Sequence, residues 1–209
     1  MRTLIPTFLR RPTGRGELVA DGARALVLIS VVVAGFGWGV VQVGIFMLAV
    51  LGALVPRALG VRPAVDIATS VVLLMAAWSN VFDLYTEVYA WDKVIHAVLT
   101  GLLTTLGIVA AQRASILPAV EGHRVGLAIA AVALGLGLGS LWEMLEWLGN
   151  AMTDAVIFVS YDDSIGDLAA DGLGALIAGI ALPFLTGRSA VVVSAERPAG
   201  AGSRSSASR

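Results

Sequence analysis

The sequence predicts an all-α fold, a polytopic transmembrane bundle of about six helices with both termini in the cytoplasm. Three observations predict it. Of 209 residues, 57% are hydrophobic and only 14% are charged, with a mean hydropathy of +0.87, whereas soluble domains carry about 25% charged residues. The charges fall between several long uncharged runs. Finally, every basic residue except Lys93 lies in a tail or in alternate loops, as the positive-inside rule requires of an even number of spans.

The boundaries follow in order. Residues 1–23, with Arg2, Arg10, Arg11 and Arg15 and two prolines, read as a basic, mostly irregular cytoplasmic tail without a cleavable signal peptide. No charge occurs from Ala25 to Val55. That run would be roughly 46 Å as one helix, too long for a hydrocarbon core of about 30 Å. The glycines Gly35, Gly37, Gly39 and Gly44 therefore predict two spans, about 25–39 and 43–57, joined by a tight turn. A single tilted helix is the alternative, and it would spoil the arginine bias. The third span is expected at about 64–80, the fourth at 91–111, the fifth at 125–149, and the sixth from near 165 to 183–186. The transmembrane domain is thus 24–186. Residues 187–209, rich in Ser, Ala, Gly and Arg, read as a disordered cytoplasmic tail.

Composition also excludes. The absence of cysteine removes disulfides, thiolate metal sites and cysteine nucleophiles. The net charge of -1 is uninformative as a total, and no nucleic-acid partner is expected. The expected partner is the lipid bilayer, and the expected location is a bacterial cytoplasmic (inner) membrane.

The sequence places ionisable residues of three spans at similar depth. Asp92 and His96 are four apart and so lie about 40° from each other on one helix face, which Thr100 and Thr104 continue. The fifth span leaves on the same side through Glu143 and Glu146, and the sixth returns through Asp163, Asp167 and Asp171, again four apart. His96, Glu143 and Asp171 can meet about one turn inside the extracytoplasmic boundary. A central Asp or Lys costs about 2.5–3.5 kcal/mol on insertion scales, so these groups should face the bundle interior. There the carboxylates cannot all ionise unless a cation neutralises them. A divalent metal is the expected cofactor, and carboxylates with one imidazole suit several such ions. In that reading His96, Glu143 and Asp171 are ligands with Asp92, while Glu146 and Asp167 serve as orienting or general-base groups. Plainer readings stand beside it: Asp92 as a helix cap, His96 bonded to Thr100, Asp163 and Asp167 as loop and cap residues; Asp154, Asp162 and Asp163 are expected in the polar loop before the sixth span.

Trp91-Asp92-Lys93-x-x-His96 with Gly101, then Leu141-Trp142-Glu143-x-x-Glu146-Trp147, then Asp163-x-x-x-Asp167 leading to Gly174-Ala175 resemble the YjdF-type bacterial inner-membrane family. The resemblance covers about residues 90–180 and implies no particular reaction. The Asp-Lys-x-x-His opening and the late acidic helix are also faintly similar to the VanZ-like family. Gly135-Leu136-Gly137-Leu138-Gly139 lacks the strand that a nucleotide loop needs, and is read instead as a small-residue packing face. Three functions fit: a metal-dependent membrane-embedded enzyme acting on a lipid-linked or envelope substrate, a cation- or proton-coupled transporter, and a structural protein whose polar cluster locks helices together. The enzyme predicts a cluster open to the surface, the transporter a route past it, and the structural protein a cluster fully paired.

Overall fold

The computed structural model describes residues 4–152 and 159–186, all in helices and the turns between them. Six helices are long and apolar enough to cross a membrane: α2 (Arg15–Gly37), α3 (Val40–Leu59), α4 (Pro63–Val81), α6 (Trp91–Arg113), α7 (Arg124–Met152) and α8 (Tyr161–Thr186). Two short helices accompany them, α1 (Leu4–Leu9) and α5 (Leu84–Glu87). The expected disordered tail at 187–209 and Asp154 lie outside the described residues.

The helical hairpin at the first long run is present. Helix α2 stops at Gly37, and Gly39, at φ 92°, turns the chain in a conformation that a β-carbon resists, so that α3 can start at Val40. Gly60, at φ 53°, closes α3 by donating back to the carbonyls of Arg57 and Pro56. Pro63 then opens α4, where its missing N–H is not needed.

The N-terminal boundary differs from the expectation. Part of the stretch read as an irregular tail is helical: Leu4–Leu9 forms α1, and α2 begins at Arg15. The physical reason is a set of buried ion pairs that composition alone does not reveal. Arg24 of α2 bonds both Asp21 and Asp66 of α4, and Arg57 of α3 lies 3.8 Å from Asp21. Arg10 pairs with Glu17 at 2.9 Å, and the Thr13 amide donates to the same carboxylate. Arg24 and Arg57 are therefore not loop charges but buried members of a cation-for-anion network within α2, α3 and α4. Asp162 and Asp163, expected in a loop, occupy the first turn of α8, where negative side chains favour the positive end of the helix dipole.

The N-terminal half, α2 to α4, packs around Val27, Ala34, Phe46, Ala49, Val50, Ala53 and Ala77. Phe46, Trp38, Trp78 and Phe82 interlock edge-on and stacked at the acidic end of that half. Leu59, Val61 and Val65 join it to Leu106 and Val109 of α6.

The C-terminal half, α6 to α8, is held by backbones in close approach. A β-carbon on Gly174 would overlap the Ala97 carbonyl, and one on Gly101 would stand 2.9 Å from the Gly174 oxygen. Gly135 sits against Ala175, Gly179 against Ala128, and Gly139 against the Asp171 carboxylate. The small-residue reading of Gly135 and Gly139 holds, whereas Gly137 points into open space. In lipid, where apolar burial drives little association, such proximity supplies the dispersion energy that holds helices together.

Gly174→Ala should therefore lower the melting temperature of the detergent-solubilised protein, by the equivalent of about 1–3 kcal/mol of overpacking. Gly137→Ala, in the same half but unobstructed, should leave it unchanged or slightly raised. Thermal-shift measurement on the two variants checks this.

Candidate functional site

The carboxylate-rich cluster forms at the end of the bundle opposite the arginine network, where α6 and α8 begin and α7 ends. A turn through Ala90, at φ 57°, starts α6, with the Val94 amide bonding the Ala90 carbonyl. Asp92 makes no side-chain cap to this helix, so its carboxylate is available to the cluster. It lies 3.7 Å from His96 Nε2.

His96 is buried, and its other ring nitrogen meets α8: Nδ1 is 3.2 Å from Asp171 Oδ1. The Thr100 hydroxyl donates to that same oxygen at 2.5 Å. With Asp171 Oδ1 as the acceptor of both bonds, the proton belongs on Nδ1, and the ring is held with Nε2 toward Asp92. The plain reading of His96 as a partner of Thr100 is replaced by a more specific arrangement, in which both residues converge on Asp171.

Around this imidazole stand carboxylates of three helices. Ligand-capable atoms of Asp92, His96 and Asp167 lie within 4.8 Å of one another, and so do those of His96, Glu143 and Glu146. Asp167 is buried, with Lys93 Nζ 3.2 Å away; Lys93 also donates to Asp163 at 2.7 Å. The Trp142 indole donates to Glu146 at 2.8 Å. Among the described residues, Glu143 Oε1 and Asp171 Oδ2 are buried side-chain oxygens without a hydrogen-bond partner or ion pair. Six carboxylates thus share Lys93 and one imidazole.

The six residues singled out from the sequence, Asp92, His96, Glu143, Glu146, Asp167 and Asp171, are brought together. Asp171 differs from the others in position, since it touches His96 from the Nδ1 side and lies one turn deeper. Ser140 turns its hydroxyl to its own helix at the Leu136 carbonyl and stays exposed. Thr104 continues the stripe in the interior, its oxygen buried without a hydrogen-bond partner among the described residues.

Sequence reasoning missed the role of Thr100, the Lys93 bridge to α8 and the proximity of Tyr85. The Trp142–Glu146 spacing of four was a legible signal; the Lys93 contacts depend on how α6 and α8 pack. Tyr85 of α5 donates to the Ala76 carbonyl at 2.9 Å. Burial pushes its phenol well above the ordinary tyrosine value, and the charges of Asp92 and Glu146 push it further the same way. Below the unfolded value of about 10, this contribution to stability is complete. As pH rises above that value the unfolded chain ionises first and the contribution is lost. Tyr85→Phe should accordingly flatten the alkaline fall in melting temperature, read as Tm against pH from 8 upward.

The hydrogen-bond pattern also makes a spectroscopic prediction. The chain has two histidines, so 15N-histidine spectra resolve His96 readily, with His96→Gln providing the assignment. A protonated Nδ1 is expected in the wild type, and its resonance should be the one that moves most in Asp171→Asn.

Over residues 19–188 the chain matches the model of a family described as predicted membrane protein, DUF2238. No curated protein and no solved structure matches. The match reaches well before the Trp-Asp-Lys-x-x-His motif, and so takes in the first three spans, which lie outside the motif resemblance over about 90–180. The chain belongs to the DUF2238 family of predicted membrane proteins, the YjdF-type family.

Proposed function

We propose that the acidic cluster binds a divalent cation and serves a membrane-embedded enzyme acting on a lipid-linked or envelope substrate. We also propose that the cluster faces the extracytoplasmic side of a bacterial cytoplasmic membrane, with both termini cytoplasmic, on the arginine bias. The observation that carries the reading is the fixed imidazole: Asp171 and Thr100 hold one side of His96, while carboxylates from three helices surround the ring. A carboxylate behind a ligating histidine is the usual way to fix its tautomer and strengthen its donor atom.

In this reading His96 Nε2 and oxygens of Asp92, Asp167, Glu143 and Glu146 form the donor set. Asp171 acts behind His96 as a positioning residue, which revises its expected role as a ligand. The oxygen-rich set with one nitrogen fits a hard or borderline divalent ion, and the unpartnered buried Glu143 oxygen suits a ligand atom. Bound there, such an ion would lower the pKa of a coordinated water and stabilise developing negative charge. The chain itself supplies the rest: Lys93 holds Asp163 and Asp167 in place, and the Trp142 indole holds Glu146.

Two observations weigh against the alternatives. A transporter needs a path beyond the site, yet below Asp171 the seam closes through Gly174 on Ala97, Gly101 on Gly174 and Gly135 on Ala175. A purely structural cluster should pair its buried groups, and two buried oxygens here, Glu143 Oε1 and Asp171 Oδ2, have neither a hydrogen bond nor an ion pair. Access is through the half-buried rim of Asp92, Lys93, Glu143 and Glu146. Two concavities, of about 660 and 580 Å³, lie elsewhere, at the α6–α7 turn and on the outer face of α7.

Metal analysis of the purified protein tests the reading. The wild type should carry a divalent metal in near-stoichiometric amount, and His96→Ala and Asp167→Asn should lose it. Asp171→Asn should retain the site with affinity weakened about 10–100-fold. Equal, near-zero metal in all four proteins, after addition of Mg²⁺, Mn²⁺ or Zn²⁺, would end the proposal.

A further inference from the structure

Residues 4–10 carry a feature that neither the acidic site nor the core explains. Helix α1 has only six residues, too few to be stable alone. Its last carbonyls would be orphans, but Arg57 of α3 reaches them: Nε donates to the Phe8 carbonyl at 3.2 Å and Nη2 to the Arg10 carbonyl. Arg57 is itself 6% exposed, so α1 is fastened to the bundle by a buried side chain acting on its backbone. A second fastening follows, Arg10 to Glu17.

This fastening leaves the side chains of α1 turned outward. Leu4, Ile5, Phe8 and Leu9 are all exposed, Ile5 to 70% and Leu9 to 72%. Their spacing places them on one face of the helix. Water would be a poor neighbour for such a face, and α2 shows what covers it: Leu18 and Val19, a turn inside the first span, are exposed in the same way and belong to the lipid-facing surface. Arg11 and Arg15 flank the apolar stripe and are also exposed. An apolar face with arginines at its border, next to the start of a spanning helix, has the chemistry of a segment lying in the headgroup region of an anionic leaflet.

We propose that α1 is an interfacial anchor, its Leu4-Ile5-Phe8-Leu9 face sunk into the boundary between headgroups and acyl chains, with Arg57 capping the helix so that it lies against the basic end. The bilayer partner is an anionic lipid surface; this inference is independent of the metal site.

The absence of cysteine makes the test direct. Single cysteines at Ile5, Leu9 and Thr13 are labelled with bimane in the full-length protein, reconstituted in phosphatidylglycerol and phosphatidylethanolamine vesicles whose acyl chains are brominated near the headgroup. Labels at 5 and 9 should shift to the blue and be quenched at least about threefold more than the label at 13, consistent with insertion of about 5–10 Å. Adding Arg57→Lys, which keeps the charge but cannot cap two carbonyls in the same geometry, should reduce the quenching at 5 and 9. Water-like emission without quenching at both positions would overturn the proposal. So would efficient cross-linking between copies through Cys at position 5 without quenching, which would make a second chain the occupant.

Discussion

A carboxylate with no exposure at all, Asp171, lies where three apolar helices meet, and the geometry of the C-terminal half follows from accommodating it. Its Oδ1 needs donors, and α6 supplies two on successive turns, His96 and Thr100. Its bulk needs space, and Gly139 of α7 leaves it, since a β-carbon there would overlap Oδ2. The donors can reach it only if α6 and α8 nearly touch, which Gly101 and Gly174 permit. One buried anion therefore sets the relative height of three helices. Removing a single partner from such a buried pair typically costs about 3–5 kcal/mol, because the other charge is left behind.

The two ends of the bundle meet the same expense in different ways. At the basic end the buried ions are matched: Arg24 with Asp66 and Asp21, Arg57 beside Asp21, Arg10 with Glu17. At the acidic end Asp92, Glu143, Glu146, Asp163, Asp167 and Asp171 surround Lys93 and His96. Matched charges are what helix association alone requires. The surplus of carboxylates at one end has no such explanation, and that asymmetry separates a fastening from a candidate site.

Much of this was legible in the sequence because a bilayer permits few solutions. The six spans, the glycine break at Gly39 and the convergence of His96, Glu143 and Asp171 follow from hydropathy, spacing and alternation. The start of the first span was not legible: Asp21 looks like a tail residue, and Arg24 like a charge at the boundary, until Arg57 and Asp66, more than thirty positions away, are known to lie beside them. Periodicity also cannot say which side of a ring a carboxylate approaches. Asp92 and Asp171 are equally plausible neighbours of His96 by depth, yet one faces Nε2 and the other Nδ1, a distinction fixed only when α6 and α8 are docked.

The acidic residues of α8 form a graded descent. Side-chain exposure falls from 20% at Asp163 to 2% at Asp167 and 0% at Asp171. Lys93 spans the upper two and His96 bonds the lowest, so positive character follows the carboxylates inward from the rim. Beneath Asp171 the descent stops, because Gly174 rests on the Ala97 carbonyl and leaves no room for a further polar layer. The stack is thus accessible above, increasingly dry below and closed at its base, the shape that the proposed cation site calls for. Electrostatic interactions strengthen along the same direction as water is excluded, so the deepest groups exert the greatest orienting force, and the deepest of them is the one that holds His96.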